Sequence, residues 1–200
     1  RAGSQARGSI FLPVFDFTMS IRSLHKILMT AGMAAASLCA LPAHALEWGV
    51  AAGPASNHGV KKVSVIAGWD RQAPLWQGDK WHLDLHHEVE LGYWHVPEAS
   101  DIVEFGYSPF LRMARPTQGG GSFFVEASVG VRGLSHVRIA PTKTMSTAFQ
   151  FSDQLGMGYQ WGSQQQNTVG VRVQHESNAS IKTPNPGINF GLLYYQRKFQ

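Results

Sequence analysis

The sequence predicts an all-β fold, an eight-stranded antiparallel transmembrane β-barrel, and three observations predict it. Apolar and polar residues alternate with period two from Leu46 onward, an export signal precedes them, and a set of eleven charged residues keeps to the polar parity of the alternation. No run of 18 apolar residues occurs in the body of the chain, so a helical membrane protein is not expected. A barrel escapes that test because its strands hide their apolarity in alternation.

Residues 1–18 carry no export logic and are set aside as an upstream extension. Residues 19–45 read as a signal peptide: Arg22 and Lys26 form the basic region, Ile27 to Leu41 the apolar stretch, and Ala43-His44-Ala45 a small-x-small cleavage site. The mature domain is then 46–200. Cys39 is the one cysteine and lies inside the signal, so the mature part has no disulfide, and a closed hydrogen-bonded sheet is one way to stabilise it. Of the net charge of +4, residues 1–45 supply +3, which removes the basic pI as a nucleic-acid signal.

Eight segments follow, at 46–55, 60–70, 80–95, 102–114, 123–134, 146–161, 167–178 and 188–199. Turn-forming stretches separate them: Gln72-Ala73-Pro74, Pro97-Glu98, Pro116 to Gly121, Pro141, Gly162-Ser163 and Pro184 to Gly187. In the third segment Trp81, Leu83, Leu85, Val89, Leu91 and Tyr93 alternate with His82, Asp84, His86, Glu88 and Glu90, and His87 alone breaks the apolar side. In the fifth, Phe123, Val125, Ala127, Val129 and Val131 alternate with Glu126, Ser128, Gly130 and Arg132. Spans of this kind suit membrane strands of roughly 9–11 residues.

Alternation alone does not say which face meets lipid, since a lipocalin-like barrel turns its apolar face inward. The charges decide it. Glu47, Lys62, Asp84, Glu88, Glu90, Glu104, Arg112, Glu126, Arg132, Arg172 and Glu176 oppose the apolar parity and are near-balanced in sign, as a lumen that pairs its charges requires. Aromatic residues near strand ends (Trp81, Trp161, Tyr194, Tyr195, Phe199) suit a membrane girdle. His82, Asp84 and His86 spread over ~13 Å of strand, too far to converge on one ion, and read as lumen residues; no metal and no cofactor is expected.

No G-x-S-x-G, H-E-x-x-H, Walker or G-x-G-x-x-G motif occurs. The seventh segment supplies something else. Val169, Val171, Val173, His175 and Ser177 share the lipid-facing parity, so a histidine and a serine continue an apolar stripe, close enough for imidazole to take the hydroxyl proton. With the N-terminus periplasmic this strand runs outward and ends in the outer leaflet.

The stretch His175-Glu176-Ser177-Asn178-Ala179-Ser180-Ile181-Lys182-Thr183-Pro184-Asn185-Pro186-Gly187 resembles the H-x-S-N-A signature and P-N-x-G loop of the PagL-type lipid A 3-O-deacylases. Looser matches lie at Ser108-Pro109-Phe110, Glu126 to Gly130 and Phe151-Ser152-Asp153. The resemblance implies an outer-membrane serine esterase that removes the 3-O-linked acyl chain of lipid A as a 3-hydroxy fatty acid. It implies Ser177 as nucleophile, His175 as base, and Asn178, Asn185 and Gly187 as the oxyanion and substrate-binding loop. The implied partners are lipid A in the outer leaflet and the membrane, with no nucleic acid; a homodimer stays open.

One departure matters, because the family's acidic residue just after the loop glycine is replaced here by Ile188-Asn189. Asn189 could orient the imidazole without charge, Glu176 points to the lumen, and Asp153 is a lone carboxylate on the apolar face of the sixth segment. Pairing the sixth and seventh segments about Gln164 sets Trp161 opposite Asn167 and Asp153 opposite His175, with Cβ atoms roughly 4.5–5.5 Å apart. Two rival readings stand beside the esterase: a structural or adhesive barrel whose triad has decayed, and another lipid A enzyme such as a palmitoyl transferase.

Overall fold

The alternation becomes eight long strands in the computed structural model, which describes residues 46–199; the expected extension (1–18) and signal peptide (19–45) lie outside those residues. The long strands are β1 (Leu46–Pro54), β2 (Lys61–Asp70), β4 (His82–His95), β5 (Ile102–Pro116), β6 (Ser122–Leu134), β9 (Phe149–Trp161), β10 (Asn167–Ser177) and β11 (Ile188–Lys198). Three short strands sit in connections: β3 (Trp76–Gln77), β7 (Arg138–Ala140) and β8 (Lys143–Thr144). Each long strand pairs antiparallel with the next long one, and β1 pairs with β11 to close the ring. Closure removes the sheet edges, which is what a strand must do where no water can satisfy its backbone.

The apolar parity points outward. Val129 is 66% exposed and Val171 52%, while Glu126 and Arg172, each one residue away from that parity, are buried. That is a transmembrane barrel turned with its apolar face to lipid. The inward residues form layers. At the end of the barrel that holds Leu46 and Lys198, Asp70 accepts from Lys198 Nζ at 2.8 Å and bonds His86 Nδ1 at 2.7 Å. In the middle, Glu126 receives Arg112, Arg172 and the Tyr194 hydroxyl, and Glu88 takes both ends of the Arg172 guanidinium at 2.6 and 2.7 Å. Above them Lys62 meets Glu90, Glu104 and Glu176 at 3.1, 2.8 and 3.5 Å, and Arg132 bridges Glu90 and Glu104. Buried charges persist only when paired in this way.

The far end of the lumen is closed by apolar residues instead, including Trp94, Ile102, Ile139, Met145, Ile188 and Phe190. The structure departs from the sequence reading in two places. β11 is apolar on both faces, with Ile188, Phe190 and Leu192 in the cap, and Tyr194 points into the lumen toward Glu126, 1% exposed, rather than lying in the outer girdle with Trp161 and Phe199. The sixth segment begins at Phe149, not at residue 146, because Ser146 takes a left-handed φ of 63° in a 135–148 connection that folds over the cap through β7 and β8. Connections 55–60, 96–101, 135–148 and 178–187 all lie at this capped end.

Candidate active site

The last turn of alternation in β10 sets the site. Gln174 and Glu176 face inward and are buried; Gln174 Nε2 donates to Ser152 Oγ at 2.9 Å, and Lys62 Nζ reaches Gln174 Oε1 at 3.0 Å. With those two anchored in the lumen, His175 and Ser177 must face out, half-buried, at the capped rim. Glu176 is thereby directed away from the imidazole, as its parity required.

His175 sits in the middle of a three-strand row. Asp153 on β9 is directly opposite it on one side and Asn189 on β11 on the other, while Trp161 opposes Asn167 as the turn about Gln164 predicts. Between the two candidates the imidazole's hydrogen bond goes to Asn189: His175 Nδ1 lies 2.7 Å from Asn189 Oδ1. The amide oxygen is an acceptor, so Nδ1 carries the proton, an arrangement that in the neutral ring puts the lone pair on Nε2. Asp153 is exposed on the same face, in the row but not bonded to the ring.

The loop 178–187 is held by Asn178, which is fully buried. Both hydrogens of its Nδ2 go to loop carbonyls, Met145 O at 3.0 Å and Lys182 O at 2.9 Å, and its backbone N–H donates to Asn185 Oδ1 at 3.1 Å. The expected oxyanion role of the Asn178 amide therefore finds its hydrogens already used, and the residue acts as the loop's anchor. Ala179 and Ser180 follow at φ 51° and 61°, with Ile181 N–H closing the turn on Asn178 O at 3.0 Å. Two successive non-glycine residues in the left-handed region cost of order 1–2 kcal/mol each, so the anchor has strain to hold. Ser146 Oγ adds a second tie to this loop, donating to Pro184 O at 2.6 Å.

Gly187 ends the loop at φ 61°, and a Cβ built there would come within 2.8 Å of His175 Cε1. The ring edge thus rests on bare backbone. Asn185 is half-buried, with its Oδ1 taken and its Nδ2 left for another acceptor. Sequence reasoning missed Met145, Ser146 and the Lys182 carbonyl as supports of the site. Their contribution is mostly backbone carbonyl, which carries no side-chain signature.

Below the His175 row the lipid-facing surface opens into a groove of ≈490 Å³ lined by Leu155, Met157, Val171, Val173, Gly191 and Leu193. Gly191 stands opposite Val173, and nothing lies within 4 Å of where its Cβ would be. At the other end of the barrel, Glu47, Asp70 and His86 bring three potential ligand atoms within 4.8 Å of one another. The cation among them is the Lys198 ammonium, 2.8 Å from Asp70 and 3.4 Å from Glu47.

A family model described as lipid A 3-O-deacylase (PagL) matches residues 61–198. A protein named lipid A deacylase PagL from Bordetella bronchiseptica is 34% identical over 138 residues, covering 62% of this chain and 70% of its own. Another of the same name from Pseudomonas aeruginosa is 29% identical over 131 residues, covering 64% of this chain and 72% of its own. A crystal structure described as that of the outer membrane enzyme PagL shares the fold, with a TM-score of 0.70 at 24% identity, covering 76% of this chain and 99% of that one.

Proposed function

The chain belongs to the lipid A 3-O-deacylase (PagL) family, and on that premise we propose that it is an outer-membrane serine esterase that hydrolyses the 3-O-linked acyl ester of lipid A in the outer leaflet. The observation that carries the reading is a serine and a tautomer-fixed histidine on the lipid-facing stripe of β10, at the rim, above an apolar groove.

In this reading Ser177 Oγ attacks the ester carbonyl while its proton passes to His175 Nε2. Asn189 holds Nδ1–H and so keeps Nε2 the basic nitrogen, in the manner of asparagine in Cys-His-Asn proteases. The oxyanion is stabilised by the Nδ2 group of Asn185, the side-chain donor left once its oxygen has accepted from Asn178. His175 then gives its proton to the departing sugar oxygen, and water, deprotonated by the same nitrogen, releases the fatty acid from Ser177. The acyl chain lies along β10 in the groove between Val173 and Leu193, whose depth depends on Gly191 lacking a side chain.

The replacement of the family's glutamate by Asn189 is what favours the rival reading of a decayed, non-catalytic barrel. Mass spectrometry of lipid A from cells with and without the protein separates them. Loss of one 3-hydroxyacyl mass that disappears in Ser177→Ala is the expected outcome. An unchanged lipid A profile sinks the esterase, and full activity in Ser177→Ala sinks the serine mechanism.

A further inference from the structure

The connections at the capped end divide their charge across the barrel. Their lysines and arginines are Arg138 and Lys143 in 135–148 and Lys182 in 178–187; their carboxylates are Glu98 and Asp101, both in 96–101. The ring order runs β2-β1-β11-β10-β9-β6-β5-β4, so the 178–187 loop between β10 and β11 is four strands from the 96–101 loop whichever way one counts. Lys182 therefore stands opposite the acids, while the 135–148 loop between β6 and β9 is two strands from either side and is drawn to that of Ser177 by the bonds of Asn178 to Met145 O and of Ser146 to Pro184 O. Asp101 is further occupied by the Tyr93 hydroxyl and by the Val96 N–H at 3.0 Å.

The cationic loops are tied to each other and to the nucleophile. Asn178, the residue after Ser177, binds the Met145 and Lys182 carbonyls through one nitrogen, and Ser146 binds Pro184. The β7–β8 hairpin sets Arg138 opposite Thr144 and Lys143 opposite Ala140, which fixes both cations just ahead of that tie. All three side chains are exposed, and of the five N–H donors of Arg138 one goes to Pro141 O at 2.8 Å, which leaves the rest of the fork to a ligand. Of the carboxylates nearby, Glu176 is buried in the lumen and Asp153 belongs to the strand row beside His175, so neither is part of these connections.

From this placement we infer that Lys143, Lys182 and Arg138 form a receptor for a phosphate monoester on the headgroup of the membrane-anchored glycolipid, orienting its ester over Ser177. The inference rests on the lipid substrate proposed above and specifies which part of it the rim recognises. Guanidinium and ammonium groups suit phosphate, and a one-signed patch steers an anion whose reach is set by screening. The asymmetry gives direction as well as affinity, because a headgroup rotated half a turn about the barrel axis would meet Glu98 and Asp101.

The test is binding of the whole mature barrel in neutral detergent micelles to bisphosphorylated lipid A and to the same lipid A with its phosphates removed. The wild type is expected to prefer the phosphorylated lipid by roughly tenfold, the sum of a few exposed ion pairs, with the preference shrinking as salt rises. Lys143→Gln with Lys182→Gln should bring the ratio close to one, while Glu98→Gln on the opposite loop should keep it. Equal binding of both lipids by the wild type overturns the proposal, as does an undiminished preference in the double variant. Inorganic phosphate that competes at constant ionic strength as strongly as the lipid would show a free-anion site and would also overturn it. The salt titration needs no variant, so misfolding of a substitution cannot hide the result. Deacylation followed in the same samples keeps the two readings apart: phosphate preference without product removes the esterase, and product without preference removes the receptor.

Discussion

At Gly187 a left-handed φ and contact with an imidazole coincide, so one missing Cβ serves both the turn and the seat of the His175 ring. Gly187→Ala should displace the His175 ring from Asn189, and kcat should fall on the order of 10²-fold, the cost of a misplacement near 1 Å, with a smaller loss of stability. A kcat within a factor of two of wild type would show that the ring has room the structure does not give it. The Asn189 and Asp153 roles separate by charge. Asn189→Glu should raise kcat/KM by about tenfold or more, because a carboxylate at Nδ1 stabilises the imidazolium of the transition state. If Asp153 already supplies that charge across the strands, Asp153→Ala should lower the rate and Asn189→Ala should do little. Deacylation rates of the two alanine variants decide; no change in either leaves a serine–histidine dyad.

The strands show which parts of this architecture a single sequence encodes. In β6 and β10 apolarity and charge fall on opposite parities, so face and register were legible down to the pairing of Asp153 with His175. In β11 they do not, because the apolar cap puts Ile188, Phe190 and Leu192 inside while Leu193 and Gly191 face lipid. Parity there could be assigned from the turn alone, which is why Tyr194 was misplaced. The loop was legible as a signature but not as a mechanism: that Asn178 spends its hydrogens on Met145 and Lys182 depends on where a distant connection folds. Where parity is clean it should also be costly to violate. Val171→Arg, mid-strand on the lipid face, should destabilise the barrel by about 2–4 kcal/mol in bilayers, whereas Ser180→Arg in the exposed rim loop should stay within about 0.5 kcal/mol. Equal effects in reversible urea unfolding would mean that β10 does not face lipid along its length.

For the molecule as a whole, the lumen replaces the hydrophobic core of a soluble domain, and its middle layer turns on Glu126. Arg112 Nη2, Arg172 Nε and the Tyr194 hydroxyl reach its two oxygens at 2.9, 2.6 and 2.9 Å, joining β5, β6, β10 and β11 through one carboxylate. The Arg172 guanidinium also stacks on the rings of Phe110 and Tyr194, 4.1 and 4.0 Å from their centroids, so it has no free path to water. Glu126→Ala would leave Arg112 without its carboxylate and Arg172 with Glu88 alone, and stranding buried charge costs about 3–5 kcal/mol. Replacing the whole layer is a different matter, since a buried ion pair gains little over well-packed apolar groups of the same volume. Glu126→Leu combined with Arg112→Met should therefore recover a good part of the loss. Unfolding midpoints of the single and double variants in the same bilayer measure the difference, and strict additivity of the two substitutions would show that the pair does not act as a unit. Ser177→Ala, which touches no lumen group, should leave the midpoint where it is, so that loss of activity in that variant reads on chemistry and loss of stability in the Glu126 series reads on the frame that holds it.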